Sequence, residues 1–370
     1  MKICRKFFPI FMVMILILGV KYAFASEEIT YSGPPITLRI SHFAPDTHKI
    51  MKAAFDPWIA MVEKESKGKI VVKKYFGGVL VGPKDGFKAC IADIVDIAPA
   101  YTMYQAGSFQ LCHVVDLPFA FPNSSVASLV DEALYPKYFK KEYEKMGVYL
   151  SNYHSNGAYN LITSKKAVRK LEDLKGMKIR SAGGTSSKML KKLGAVPVQL
   201  PASEAYSAFQ RGIVDGVCFY DAGTVSYRLH EVALYLTEVK LNTPANALAL
   251  NRKFFDNLPP DLRKFLYHMQ RRLSQIAGHA YDNEDVINRK VITDRGIEVI
   301  HLSPQELEKW KHAVEPLYEE FIKENEPLGL PAKELVNEMR ALSRKYSSWT
   351  QEQLMKEVLE QPIRGIVDGM

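Results

Sequence analysis

The chain has 370 residues, 24% of them charged and 47% hydrophobic, with a formal net charge of +8. Four of its cations, Lys2, Arg5, Lys6 and Lys21, lie within the first 25 residues, so the remaining 345 carry only +4, with Lys and Arg interleaved among Asp and Glu. That balance excludes the concentrated basic face of a nucleic-acid binder, and the length suits two domains of about 150–170 residues, each with its own core.

Residues 1–25 combine the three cations Lys2, Arg5 and Lys6, an apolar run from Phe7 to Val20, and Ala23-Phe24-Ala25. This is the three-part pattern of a secretory signal peptide. The run is shorter than the ~20 apolar residues of a membrane span; the competing reading is an uncleaved N-terminal anchor. Cleavage after Ala25 makes Ser26 the mature N-terminus and places the protein in the periplasm. Cys4 precedes the apolar run, which excludes a lipoprotein cysteine at the cleavage point. Cys90, Cys112 and Cys218 remain, without C-x-x-C or metal-ligand spacing, and are expected to be free and buried.

Strand and helix patterns alternate from Ile36 onward. ITLRISHF (36–43) alternates as a strand, residues 48–68 carry the 3.6-residue period of a helix ending at Gly68, and KIVVKKYF is a second strand. PKDGFKACIADI is expected as a helix, VDIAPAYTM as a strand, residues 122–145 as a long helical stretch, and GVYLSNYH as a strand. A second series begins near Gly157 with strands AYNLITS and MKIRSA, helix GTSSKMLKKLG, strand VPVQL, helix ASEAYSAFQR behind Pro201, and a strand from Val214. NALALNRKFF reads as a strand returning to the first domain. Residues 259–296 are then helical almost throughout, far beyond the average of about 11–12 residues, as suits a helix bridging two lobes. SPQELEKW opens the next helix with an expected capping box of Ser303 and Glu306. The alternation predicts an α/β protein with largely parallel sheets.

Catalytic signatures are missing: the chain has no G-x-S-x-G, Walker A loop or G-x-G-x-x-G, and HEVAL (230–234) lacks the second histidine of a zinc protease. No metal and no cofactor is expected. Asp93 and Asp96 read as a solvated turn rather than an acid–base pair. Arg180 ends the strand MKIR, and Gly183-Gly184 turn the chain into a helix. Open α/β sheets bind ligands at the carboxyl ends of their strands, a helix N-terminus there favours an anion, and an arginine can clamp a carboxylate with two parallel hydrogen bonds. Position alone leaves a second reading open, a surface arginine paired with a nearby glutamate.

Residues 172–217, EDLKGMKIRSAGGTSSKMLKKLGAVPVQLPASEAYSAFQRGIVDGV, resemble the core signature of the extracytoplasmic solute-binding subunits of TRAP transporters, the DctP-like family. FGGVLVGPKDGFKACIADIVDIA, DLPFAF and NRKFFDNLPPDLRKFL extend the likeness over about residues 36–325. The resemblance implies a two-lobed periplasmic-binding-protein fold with a hinged central cleft and a long helix spanning both lobes. It further implies a non-enzymatic receptor, a small organic carboxylate as ligand, TRAP membrane permease subunits as partners, and Arg180 as the carboxylate clamp, expected to be solvated without ligand. Lobe I is expected over 26–156 plus 245–284, lobe II over 157–244 plus 285–345, and a C-terminal helical extension over 346–370, in a monomer that binds no nucleic acid. Where some members carry a second arginine, GAYNL places Tyr159, and where sialic-acid-type members carry an asparagine, DGVCFYD places Phe219.

Tyr101, Phe119, Tyr153, Tyr159, Phe219 and Tyr220 all fall at or near strand ends expected to face the cleft, although core packing would account for any one of them. With the second arginine replaced, they point to an apolar or aromatic monocarboxylate. Two other functions compete: a binding subunit feeding a sensor kinase, and a secreted hydrolase, which the missing motifs disfavour.

Overall fold

The computed structural model describes residues 29–105 and 107–370; the leader expected over 1–25 lies outside them. Two sheets organise the chain. In the first, the strands lie in the order Ile70–Tyr75, Ile36–Ser41, Ile97–Pro99, Ala245–Leu250, Tyr149–Ser155. Strand Ile36–Ser41 pairs in parallel with both neighbours, while Ala245–Leu250 runs antiparallel to the strands on either side. In the second, the order is Glu298–His301, Tyr235–Glu238, Asn160–Thr163, Gly216–Phe219, Lys178–Ser181, Val196–Gln199. There the reversed strand is Asn160–Thr163, antiparallel to both neighbours. Each sheet is thus largely parallel, as expected, with a single reversed strand that arrives by a crossover from the other lobe and enters in the opposite sense.

The chain passes between the sheets at 156–159 and at 239–244, and these two segments pair: Tyr159 N–H donates to the Asn242 carbonyl (2.8 Å), Leu241 N–H to that of Tyr159 (2.8 Å), and Asn156 N–H to that of Pro244 (2.9 Å). The third connection is the helix Pro260–Asp294, 35 residues and hence ~52 Å at 1.5 Å per residue. Its carboxylates hold both lobes by helix N-termini, where backbone N–H groups lack intrahelical partners. Asp282 accepts from Ser124 N–H (2.8 Å) and Ser125 N–H (3.0 Å) at the start of helix Ser124–Leu134, and Asp285 from Ala222 N–H (2.9 Å) in helix Asp221–Ser226. A Cβ on Gly157, in the first crossover, would lie 1.9 Å from an Asp285 carboxylate oxygen, so only glycine lets the crossover pass this close to the helix.

Local departures have local causes. The helical stretch 124–145 contains a π turn, Tyr135–Phe139, where Pro136 has no N–H for the α ladder. A second π turn, Met51–Phe55, precedes helix Asp56–Glu65. Ser303 does cap helix Pro304–Val314, accepting from Glu306 N–H (3.1 Å), but the Glu306 carboxylate accepts from Leu171 N–H (2.6 Å) instead of closing the box. Asp96, expected in a solvated turn, is buried and binds Arg39 through its N–H and Nη2, each at 2.6 Å. Helix Ala332–Tyr346 falls within the stretch expected in lobe II, yet it packs on helix Ser124–Leu134 of the first lobe, with Tyr138 Oη donating to Glu338 (2.6 Å). Beyond it, helix Gln351–Glu360 packs on the long helix and on Ser124–Leu134. Cys90, Cys112 and Cys218 are free and buried.

Candidate functional site

The lobes meet around a partly open cavity at the carboxyl ends of the strands, the position expected of open α/β sheets. From the first lobe, His42 and Phe43 follow strand Ile36–Ser41, Tyr101 follows Ile97–Pro99, and Asn156 follows Tyr149–Ser155. From the second, Tyr159 precedes Asn160–Thr163, Phe219 ends strand Gly216–Phe219 and Tyr220 follows it. The long helix contributes Tyr281, and the π turn contributes Met51. The aromatic rings form a continuous wall: Phe219 and Tyr220 lie 4.7 Å apart, Tyr159 stacks on Tyr220 at 5.8 Å, and Tyr281 meets Tyr220 edge-on at 5.4 Å.

Arg180 stands behind this wall, its guanidinium carbon 5.3 Å from the centre of the Phe219 ring. It is fully buried, which corrects the expectation of a solvated side chain and also removes the surface ion pair as an alternative. Nε donates to the Leu200 carbonyl (2.9 Å), and both Nη atoms are buried without a hydrogen-bond partner. A buried guanidinium with its fork unsatisfied is costly, and the group it matches best is a planar carboxylate. The turn after its strand uses Gly183 at φ 111° and Gly184 at φ 50°, a conformation that favours glycine. The helix start that lines the cavity is Ala202, at the head of Ala202–Gln210, rather than Gly184.

Two of the expected residues lie elsewhere. Tyr153 is buried in a separate aromatic core, its hydroxyl 2.9 Å from that of Tyr143 and its ring against Tyr135 and Phe139. Phe119 lines another groove, beside Tyr318 and Arg340, with its N–H on the Leu241 carbonyl (2.8 Å). Conversely, sequence reasoning missed His42, His48, Tyr104, Asn156, Asn246 and Tyr281, which line the cavity. His42 had a usable signal, since it directly follows an alternating strand; Tyr281 had none, being one residue in a long helical pattern.

Burial sets the protonation of these groups. It holds His42 neutral, with its pKa well below the usual imidazole range, and lowers His48 to about 4 with help from Lys49. Burial raises the Tyr101, Tyr159 and Tyr220 phenols well above their ordinary range. The cavity therefore offers neutral tyrosines and neutral imidazoles, with Arg180 as the adjacent cation. Its volume is about 30 Å³, near that of one liquid water, whereas a benzene-sized guest has been held by a cavity of about 150 Å³. A ring-bearing ligand thus needs more room than the lobes leave in this arrangement. The lobes are closed here: His48 reaches Tyr220 across the cleft (3.2 Å), and Lys49 N–H donates to Ser226 Oγ (3.2 Å).

Two lobes joined by paired crossovers around a cavity at their strand ends are the architecture of a solute-binding receptor. The chain belongs to the bacterial extracellular solute-binding protein family 7, DctP, whose pattern matches residues 40–325, the solute-binding proteins of TRAP transporters. It is similar to the C4-dicarboxylate-binding periplasmic protein DctP of Rhodobacter capsulatus, at 26% identity over 82% of this chain and 93% of that one. Among solved structures it is similar to a TRAP periplasmic solute-binding protein from Bordetella bronchiseptica with bound (R)- and (S)-mandelate, with a TM-score of 0.79, 26% identity, and coverage of 84% of this chain and 99% of that one. A TRAP solute-binding protein of an unidentified marine microbe, specific for aromatic acid ligands and complexed with 3-hydroxybenzoate, gives a TM-score of 0.81 at 25% identity, covering 85% and 100%.

Proposed function

We propose that this receptor binds an aromatic or otherwise apolar monocarboxylate in the periplasm and delivers it to a TRAP-type membrane permease. The carrying observation is the buried Arg180 fork, unpartnered beside an aromatic cavity that, among the described residues, no lysine or other arginine lines. A monocarboxylate satisfies the fork and presents an apolar body to Phe219, Tyr159 and Tyr220. A dicarboxylate, the ligand class for which the Rhodobacter relative is named, would bury a second charge against neutral groups, and an unpaired buried charge costs several kcal/mol. The mandelate and 3-hydroxybenzoate complexes of similar proteins support the same ligand class. Ligand capture then coincides with lobe closure about the paired crossovers and the long helix, and the closed surface is what the permease distinguishes from the open one.

A thermal-shift screen of the protein against organic acids tests the reading. An aromatic monocarboxylate at 100 times its Kd is expected to stabilise the fold by about 2.7 kcal/mol. A response confined to C4-dicarboxylates or sialic acid would overturn it. The location carries its own expectation, resting on the leader-like residues 1–25. Osmotic shock should release a protein whose intact mass begins at Ser26, and a membrane-bound form retaining Met1 would refute the export reading.

A further inference from the structure

We infer that His42 and His48 are positioning residues that fix the tyrosine hydroxyls of this cavity as hydrogen-bond donors, so that the receptor favours an aromatic acid carrying a second acceptor oxygen over its unsubstituted or ammonium-bearing counterpart. The inference rests on the reading of the cavity as a carboxylate site and deepens it.

The direction of each hydrogen bond follows from groups that can act in only one way. Ala44 N–H donates to His42 Nδ1 (2.9 Å). A backbone amide cannot accept, so Nδ1 bears no proton, and the neutral ring carries its proton on Nε2. Nε2–H then donates to Tyr101 Oη (2.8 Å). A hydroxyl whose oxygen already accepts keeps its own proton to give. The same construction recurs at His48: Ile50 N–H donates to its Nδ1 (3.2 Å), and Nε2–H reaches Tyr220 Oη (3.2 Å). Two asparagines supply two further phenols, with Asn156 Nδ2 donating to Tyr159 Oη (3.2 Å) and Asn246 Nδ2 to Tyr281 Oη (3.3 Å). The asparagines orient each other through a 2.7 Å bond from Asn246 Nδ2 to Asn156 Oδ1.

The hydroxyl oxygens of Tyr101, Tyr159, Tyr220 and Tyr281, four of the six tyrosines that line the cavity, are therefore supplied from behind by a protein donor, and what these four present forward is O–H. Should Tyr220 pass its proton to Tyr281, the outgoing group of that relay is the Tyr281 hydroxyl, still a donor. Among the described residues no carboxylate lines the cavity, and each asparagine oxygen already accepts from the other's amide. A ligand keto or hydroxyl oxygen thus meets matched donors, while an ammonium meets donors and the nearby Arg180. The His48–Tyr220 bond crosses from one lobe to the other, so that donor is aligned only on closure and its contribution appears in the closed complex.

The test compares phenylacetate, phenylglyoxylate, mandelate and phenylglycine, which share ring and carboxylate and differ at the α position. Calorimetric titration of the wild-type receptor is expected to show phenylglyoxylate and mandelate binding at least about fivefold tighter than phenylacetate, the worth of a typical hydrogen bond, and phenylglycine far weaker than mandelate. His42→Phe should bring the phenylglyoxylate-to-phenylacetate ratio towards one, Tyr101→Phe should do the same, and the double variant should lower it no further. Nitrogen-15 shifts at pH 7 should place the His42 and His48 protons on Nε2. Phenylglycine binding within threefold of mandelate, a His42→Phe variant that weakens all ligands equally, or protons found on Nδ1 would each overturn the inference. Absence of binding by all four acids would instead overturn the aromatic-acid reading beneath it.

Discussion

Arg180→Ala is expected to weaken carboxylate binding by about 2–5 kcal/mol, roughly 30- to 4,000-fold, the usual cost of removing one partner from a buried charge pair. The fork has no protein partner for either Nη, so its donors are available to the ligand without first breaking an internal bond. The apo protein should keep its fold and nearly its urea midpoint. Loss of the Nε bond to Leu200 and of the contact with Phe219 is offset by removing an uncompensated buried charge. Arg180→Lys should recover only part of the affinity, since an ammonium cannot form two parallel bonds to one carboxylate. Titration of both variants with a ligand found by screening measures this directly. Wild-type affinity in Arg180→Ala would place the carboxylate elsewhere.

The largest effect on stability is expected at Arg271. It lies on the long helix, fully buried, with Nη1 3.0 Å from the Glu132 carboxylate and Nη2 donating to the Ser151 carbonyl. Glu132 also accepts from Tyr153 N–H (3.1 Å), so the pair ties the long helix to helix Ser124–Leu134 and to the strand Tyr149–Ser155. Removing one member of a buried pair leaves the other unpaired, at about 3–5 kcal/mol. Arg271→Met should therefore lower the unfolding free energy by that amount at pH 8. Burial already raises Glu132 to about 7 against the opposing pull of Arg271, and without the arginine it rises further. A folded pKa above the unfolded one means that the native state binds more protons, so the variant regains stability as pH falls through the folded value towards the unfolded one. Urea unfolding at pH 8 and pH 5.5 checks the sign: a penalty that stays constant or grows in acid would contradict the account.

The alternation of strands and helices, the 35-residue helix and the placement of Arg180 at a strand end were legible in the sequence because each depends on local periodicity and turn chemistry. Gly183-Gly184 marked a turn that needs positive φ, and Pro201 a helix start, without reference to the rest of the chain. Which tyrosines line the cavity was not legible. Strand Tyr149–Ser155 is buried at all seven positions, so no polar alternation shows which face looks to the cleft, and Tyr153 points into the core while Asn156 reaches the cavity. Likewise, nothing near Arg180 in the chain announces that its fork is buried, because the residues that cover it arrive from other strands. His42, Tyr101, Tyr220 and Tyr281 are separated by up to 239 positions and converge only when the lobes pack. Local periodicity and turn chemistry along the chain set the elements and put Arg180 at a strand end; which aromatic rings come to lie around it follows from strand-face orientation and the packing of the lobes, neither of which leaves a periodic trace along the chain.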